Sequence, residues 1–158
     1  MDIATAIQNL SAPSKAFIEE LKRTRNATPL FSDLAKEGLY VLAYQALQAR
    51  QYNEAFQLFS SLVVTDITDA RYMSGMAHAA QGAGQLDLAT YLHAMAVGLA
   101  PSQEAYLLDL AQGLMAVQDF DMALLVLNQV PADSNLADAA TALYERAQAM
   151  GALLANAN

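Results

Sequence analysis

Apolar side chains recur along this chain at helical spacing in paired runs. The first run places Leu39, Leu42, Ala43 and Ala46 on one face, and the second places Ala55, Phe56, Phe59 and Leu62 on another. Between them the polar pair Arg50-Gln51 allows two antiparallel helices to fold back on each other. The layout then returns twice with a period of 34 residues, anchored by Ala55, Ala89 and Ala123. Leu39/Met73/Leu107, Leu42/Met76/Leu110, Ala43/Ala77/Ala111, Tyr52/Leu86/Phe120, Phe59/His93/Leu127 and Leu62/Ala96/Val130 keep the same register, as does the Asp66/Ala100 loop position. The turn is Gly82-Ala83-Gly84-Gln85 in the second copy and Gln118-Asp119 in the third. Small residues at 43 and 55 suit close contact between the two helices, and the residues at 52, 86 and 120 plug the turn. One such hairpin cannot bury its own apolar face, so the copies must stack.

The flanks carry helical patterns of their own. Ile3, Ile7 and Leu10, then Phe17, Ile18 and Leu21, lie on either side of Ser11-Ala12-Pro13-Ser14 and predict two short amphipathic helices. Pro29, with Thr28 as cap, opens the helix that becomes the first copy. Beyond the third copy, Asp133-Ser134-Asn135 caps a helix whose stripe Leu136, Ala140, Leu143, Ala147, Met150 and Leu154 covers the last hairpin.

A 34-residue period of helix hairpins with these small and apolar positions resembles the tetratricopeptide repeat. The copies run from about 36–69, 70–103 and 104–131. The expected closing proline appears as Pro101 in the second copy, Ile67 holds that place in the first, and Pro131 closes the third early. The resemblance implies an all-α fold: three tetratricopeptide repeats in a right-handed superhelical stack. Residues 1–28 form an N-terminal helical arm, 29–131 the repeats, and 132–158 a C-terminal capping helix and tail.

Composition narrows the function. At 158 residues one domain is expected, and the absence of cysteine removes disulfide frameworks and thiolate metal sites. The start Met1-Asp2-Ile3 shows no secretory signal, and no stretch reaches the roughly 20 apolar residues of a membrane span, so a soluble intracellular protein without membrane insertion is expected. Residues 1–50 carry a net charge of +1, but residues 51–158 carry two basic against eleven acidic side chains. So acidic a body repels phosphates and argues against nucleic acid binding; the Lys22-Arg23/Arg25 cluster reads as a complement to a helix C-terminus. Net charge also keeps a protein dispersed while it holds a sticky client.

No catalytic constellation emerges from the spacing. His78 and His93 are the only histidines, and they fall 15 residues apart on different helices of one copy, not at metal-ligand spacing. The simplest reading is one groove or surface histidine and one packed between helices. Asp119 and Asp121 occupy a turn that needs polar residues in any case, and Gly82-Ala83-Gly84 is a Gly-x-Gly in a helix-to-helix turn rather than after a strand. The expectation is a binding module without enzymatic activity or cofactor.

The concave side of such a stack is lined by the first helix of each repeat, at positions outside the consensus core. These are Tyr40, Tyr44 and Leu47 in the first copy, Arg71, Ser74, His78 and Gln81 in the second, and Ala105, Leu108, Gln112 and Met115 in the third. Tyr72, beside the repeat junction, edges towards the same groove. Tyr40 and Tyr44, at i and i+4, form an aromatic pair opposite Leu39, Leu42 and Ala46, which marks a binding surface.

Two stretches carry a narrower resemblance. Leu39-Tyr40-Val41-Leu42-Ala43-Tyr44 with Gln51-Tyr52-Asn53-Glu54-Ala55, and Asp69-Ala70-Arg71-Tyr72-Met73-Ser74-Gly75-Met76 with Gly84-Gln85-Leu86-Asp87-Leu88-Ala89, are similar to the first and second repeats of class II chaperones of bacterial type III secretion. The resemblance covers about residues 30–155. It implies a cytoplasmic holdase for the hydrophobic translocator proteins. An extended client segment with a Pro-x-Leu-x-x-Pro-like pattern would lie in the groove against Tyr40 and Tyr44, with Arg71, Ser74, His78 and Gln112 meeting its carbonyls. The arm would serve a homodimer. A general tetratricopeptide adaptor for a needle subunit or a transcription activator is the alternative.

Overall fold

The computed structural model describes residues 31–157 and, among them, seven helices and no strand. They are α1 (Asp33–Gln48), α2 (Tyr52–Thr65), α3 (Ala70–Gly82), α4 (Leu86–Leu99), α5 (Glu104–Ala116), α6 (Phe120–Leu127) and α7 (Ala137–Ala157). Each helix packs on the next in the chain, and α1 also reaches α3, so the hairpins α1–α2, α3–α4 and α5–α6 stack in sequence order with α7 against the last. This is the all-α repeat architecture that the 34-residue period predicts. The expected arm and the Thr28-Pro29 helix start lie outside the described residues. Within them α1 begins at Asp33, where Ser32 Oγ accepts the Ala35 N–H at 3.2 Å.

The hairpin turns repeat more faithfully than their residues do. The N–H groups of Gln51, Gln85 and Asp119 each reach back five residues, to the carbonyls of Ala46, Ala80 and Leu114, while those of Arg50, Gly84 and Gln118 bond Leu47, Gln81 and Met115. Both bonds together define a Schellman helix end, whose closing residue must adopt a left-handed backbone. It does so three times, with φ of 59° at Arg50, 79° at Gly84 and 65° at Gln118, although only the second copy supplies glycine there.

Core packing follows the register. Ala43, Ala77 and Ala111 are each wholly buried, as are Ala55 and Ala123, with Ala89 nearly so. At the junction of the first two repeats the ring of Phe59 lies directly over Gly75, where an added Cβ would come within 2.3 Å of the ring. Sixteen residues separate that pair, and the same offset joins His93 to Asp109 and Leu127 to Leu143 in the later junctions. Leu42 departs from its register mates: it is 56% exposed where Leu110 is 5% exposed, because no hairpin precedes it among the described residues.

Helix α6 stops at Leu127, well short of the length of α2 and α4. Pro131 explains this, since the residue before a proline is driven out of helical conformation. Ser134 then starts α7 by accepting the Leu136 N–H at 3.0 Å, and its hydroxyl donates to the Glu104 carboxylate, which ties α7 to α5. Ala140 and Ala147 are buried against the third repeat with Leu143 and Tyr144 packed beside them. These residues continue the 34-residue register, since Ala147 aligns with the buried Gly113 and Ala79. Thus α7 stands as a solitary first helix of a fourth unit, and its outward side carries Asp138, Thr141, Glu145 and Gln148. The expected stripe covers the last hairpin from Leu136 through Ala147, and Gly151 still lies against Phe120, while Met150 and Leu154 are 36% and 39% exposed.

Candidate functional site

The expected groove residues fall on α1, α3 and α5 in rows one repeat apart: Tyr40/Ser74/Leu108, Tyr44/His78/Gln112 and Leu47/Gln81/Met115. Tyr40 and Tyr44 stack with centroids 6.4 Å apart and planes 21° from parallel. Tyr40 is supported from behind by Phe59, edge-on at 6.0 Å, and by Tyr72, tilted at 5.9 Å. Tyr44 is 48% exposed, so the pair presents a fixed inner ring and an accessible outer one. Burial raises the hydroxyl pKa of Tyr40 above its ordinary value, an effect Arg71 opposes, so it stays protonated and able to donate.

Arg71 closes this aromatic cluster. Its guanidinium lies over Tyr40 at 5.0 Å and over Tyr72 at 5.6 Å. Its Nε and Nη2 donate to the Asp69 carboxylate at 2.7–3.1 Å, and Nη2 donates to Glu37 at 2.8 Å. Asp69 also caps α3 by accepting the Arg71 N–H at 3.0 Å. Those hydrogen bonds hold the Arg71 pKa well above its ordinary value. Arg71 therefore braces the platform and bridges two repeats through Glu37; most of its donors are already engaged rather than waiting for a peptide carbonyl. Glu37 stands 34 residues before Arg71, and opposite charges in one register column were the signal for this pair.

Several candidates lie deeper than expected. Tyr72 is 2% exposed and belongs to the core, enclosed by Tyr40 and Arg71, so it backs the groove rather than edging into it. Ser74, Leu108 and Met115 are also buried, the last two within the core cluster of the third repeat. Leu47 and Gln81 are half-buried, and Ala105 and Gln112 are exposed. Among the expected groove residues, the large apolar accessible surface is at Tyr44 in the first repeat, and the accessible positions further along are polar apart from the small Ala105.

His78 keeps part of its side chain exposed and His93 is packed between helices, as expected, but the two also meet, which their spacing did not suggest. His78 on α3 and His93 on α4 meet edge to face with centroids 4.9 Å apart, and His78 Nε2 lies 3.3 Å from Asp109 Oδ2 on α5. One ligand atom from each of His78, His93 and Asp109 lies within 4.8 Å of the others. His93 is 1% exposed, in the column that Phe59 and Leu127 fill elsewhere, and neither of its ring nitrogens has a hydrogen-bond partner in the protein. Leaving such a group unpaired costs about 1–3 kcal/mol. Burial, reinforced by the charge on His78 and opposed by Asp109, lowers the His93 pKa to about 4, so the ring is neutral near pH 7. A histidine in an otherwise apolar column was the legible sign; the spacing of 15 and 16 residues was not.

The stacked hairpins define a fold of the tetratricopeptide type that carries an aromatic cluster on α1 and α3. The profile of the ChAPs family (Chs5p-Arf1p-binding proteins) matches residues 3–150, and the chain belongs to that family. It is also similar to low calcium response locus protein H of Yersinia pestis, with 38% identity over 55 residues. That match spans 35% of this chain and about a third of the length of the curated relative. Among solved structures, the fold is similar to Yersinia enterocolitica SycD in complex with a peptide of the translocator YopD (TM-score 0.68, 23% identity, 78% of this chain and 96% of that one). It is likewise similar to Pseudomonas aeruginosa PcrH in complex with the chaperone-binding region of PopD (TM-score 0.66, 24% identity, 77% and 96%). At that identity the structural likeness establishes the fold.

Proposed function

We propose that this protein is a cytoplasmic chaperone of a bacterial type III secretion system that keeps hydrophobic translocator proteins soluble before export. The observation that carries the reading is the Tyr40–Tyr44 stack, backed by the buried Phe59 and Tyr72, braced by Arg71 over Tyr40 and open at Tyr44. A platform held in place before binding loses little entropy when a peptide docks, and its hydroxyls can bond the peptide backbone while the rings take apolar side chains. A proline- and leucine-containing extended segment suits it, because proline lowers the ordering cost of the peptide as well. Leu47, His78, Gln81 and Gln112 extend the contact surface, while Ser74, Leu108 and Met115 shape its floor. The likeness to SycD and PcrH solved with translocator segments supports this reading.

Among the described residues no helix is long and apolar enough to cross a membrane, which suits a holdase acting on the cytoplasmic side. The task requires neither catalysis nor a nucleotide. The division into arm, repeats and cap belongs to the same reading, and a homodimer would use residues 1–28, outside the described residues. Affinity purification from the native host, with the retained proteins identified by mass spectrometry, tests it. Recovery of one or two large proteins with predicted membrane helices, insoluble when made alone, is expected. Recovery of only a needle subunit or a folded transcription activator would move the function to an adaptor. Replacing Tyr40 and Tyr44 by alanine should weaken client binding by about 1–3 kcal/mol per anchor.

A further inference from the structure

We propose that His78, His93 and Asp109 form a binding site for a divalent first-row transition-metal ion of the Zn²⁺ class. Three donors of the right chemistry converge from three helices, α3, α4 and α5, with all ligand atoms within 4.8 Å of one another. Two imidazoles and a carboxylate are a donor set that such ions favour. In a tetrahedral zinc site with bonds near 2.0–2.2 Å, neighbouring donors stand about 3.3 Å apart. His78 Nε2 and Asp109 Oδ2 already have that separation, at 3.3 Å, so closure requires only His93 to approach them.

An independent observation points to the same ligand. His93 is 1% exposed, yet both of its ring nitrogens are without a protein partner. The fold does not demand this arrangement. The equivalent junctions fill the column with Phe59 over Gly75 and with Leu127 in one core cluster with Leu143. In the columns 59/93/127 and 75/109/143, polar side chains occur only at the junction where the three donors meet. A metal ion bound there would engage the orphaned imidazole and clamp the second repeat to the third. His78 and Asp109 keep 40% and 25% of their side chains exposed, so the ion would have a route from solvent and water would complete its coordination.

The experiment is titration of the full-length protein, stripped with EDTA and dialysed, with ZnCl₂ by calorimetry, together with Co²⁺ absorption spectroscopy. One equivalent should bind, raise the melting temperature in proportion to the logarithm of free Zn²⁺, and give the visible bands of low-coordinate Co²⁺. Asp109→Asn, which keeps the side-chain volume, and His93→Phe, which copies the first repeat, should each weaken binding at least about tenfold, the loss that even an outer-shell change can produce. Glu54→Gln, at an exposed position remote from the cluster, should bind as the parent does. Absence of binding up to millimolar ZnCl₂, or affinity unchanged in folded Asp109→Asn, overturns the proposal.

Discussion

A single residue, His93, shows how a repeat register can make one position unlike its mates. Its column is apolar in the first and third repeats, and its ring titrates near pH 4 because burial, then the neighbouring His78, disfavours the charged form. The unfolded chain takes up this proton near pH 6.5 and the metal-free folded chain only near 4, so the unfolded state binds more protons between those values. Stability should therefore fall as pH is lowered from 6.5 towards 4 and be insensitive to this group above that window. Urea midpoints across the range check it, and His93→Phe should flatten the slope. The Tyr40–Tyr44 pair was legible in the sequence because i and i+4 neighbours share a helix face. The His78–His93–Asp109 cluster was not, since its members sit on three helices and only the superhelical stack makes them neighbours. The burial of Tyr72, Ser74, Leu108 and Met115 escaped for the same reason: a helix period locates a face but not its depth.

At the scale of elements, the hairpin turn is the best conserved feature of the chain and the least visible in its letters. Arg50, Gly84 and Gln118 share a left-handed backbone fixed by two Schellman bonds, so two of the three turns place an ordinary side chain where glycine is most comfortable. Arg50→Gly and Gln118→Gly should each stabilise the protein by about 0.5–1 kcal/mol, and Gly84→Ala should destabilise it by about 1 kcal/mol. Chemical denaturation of the three variants reads both signs. The apolar period predicted the paired helices because each hairpin offers one coherent face to its neighbour. Helix ends were harder. Ser32 starts the described α1, and Pro131 shortens α6, because capping bonds and proline geometry act on single residues that a period does not sense.

On the scale of the whole molecule, stability is built from contacts between successive units, so a fault at one junction should divide the protein. Gly75→Ala forces a Cβ into the Phe59 ring and should cost about 1–3 kcal/mol by overpacking. Unfolding followed by helical circular dichroism and by tyrosine fluorescence should then cease to coincide, because the first hairpin parts from the second before the others melt. The solitary helix α7 bears on assembly in another way. Its register places Glu145 in the column where Ala43, Ala77 and Ala111 receive their partner helices. A further hairpin, from this chain or from another copy, could dock there only by stripping water from a carboxylate. Stacking is a growth process that any exposed unit could continue, and a charge in this column makes the outer face of α7 a poor surface for the next unit to grow on.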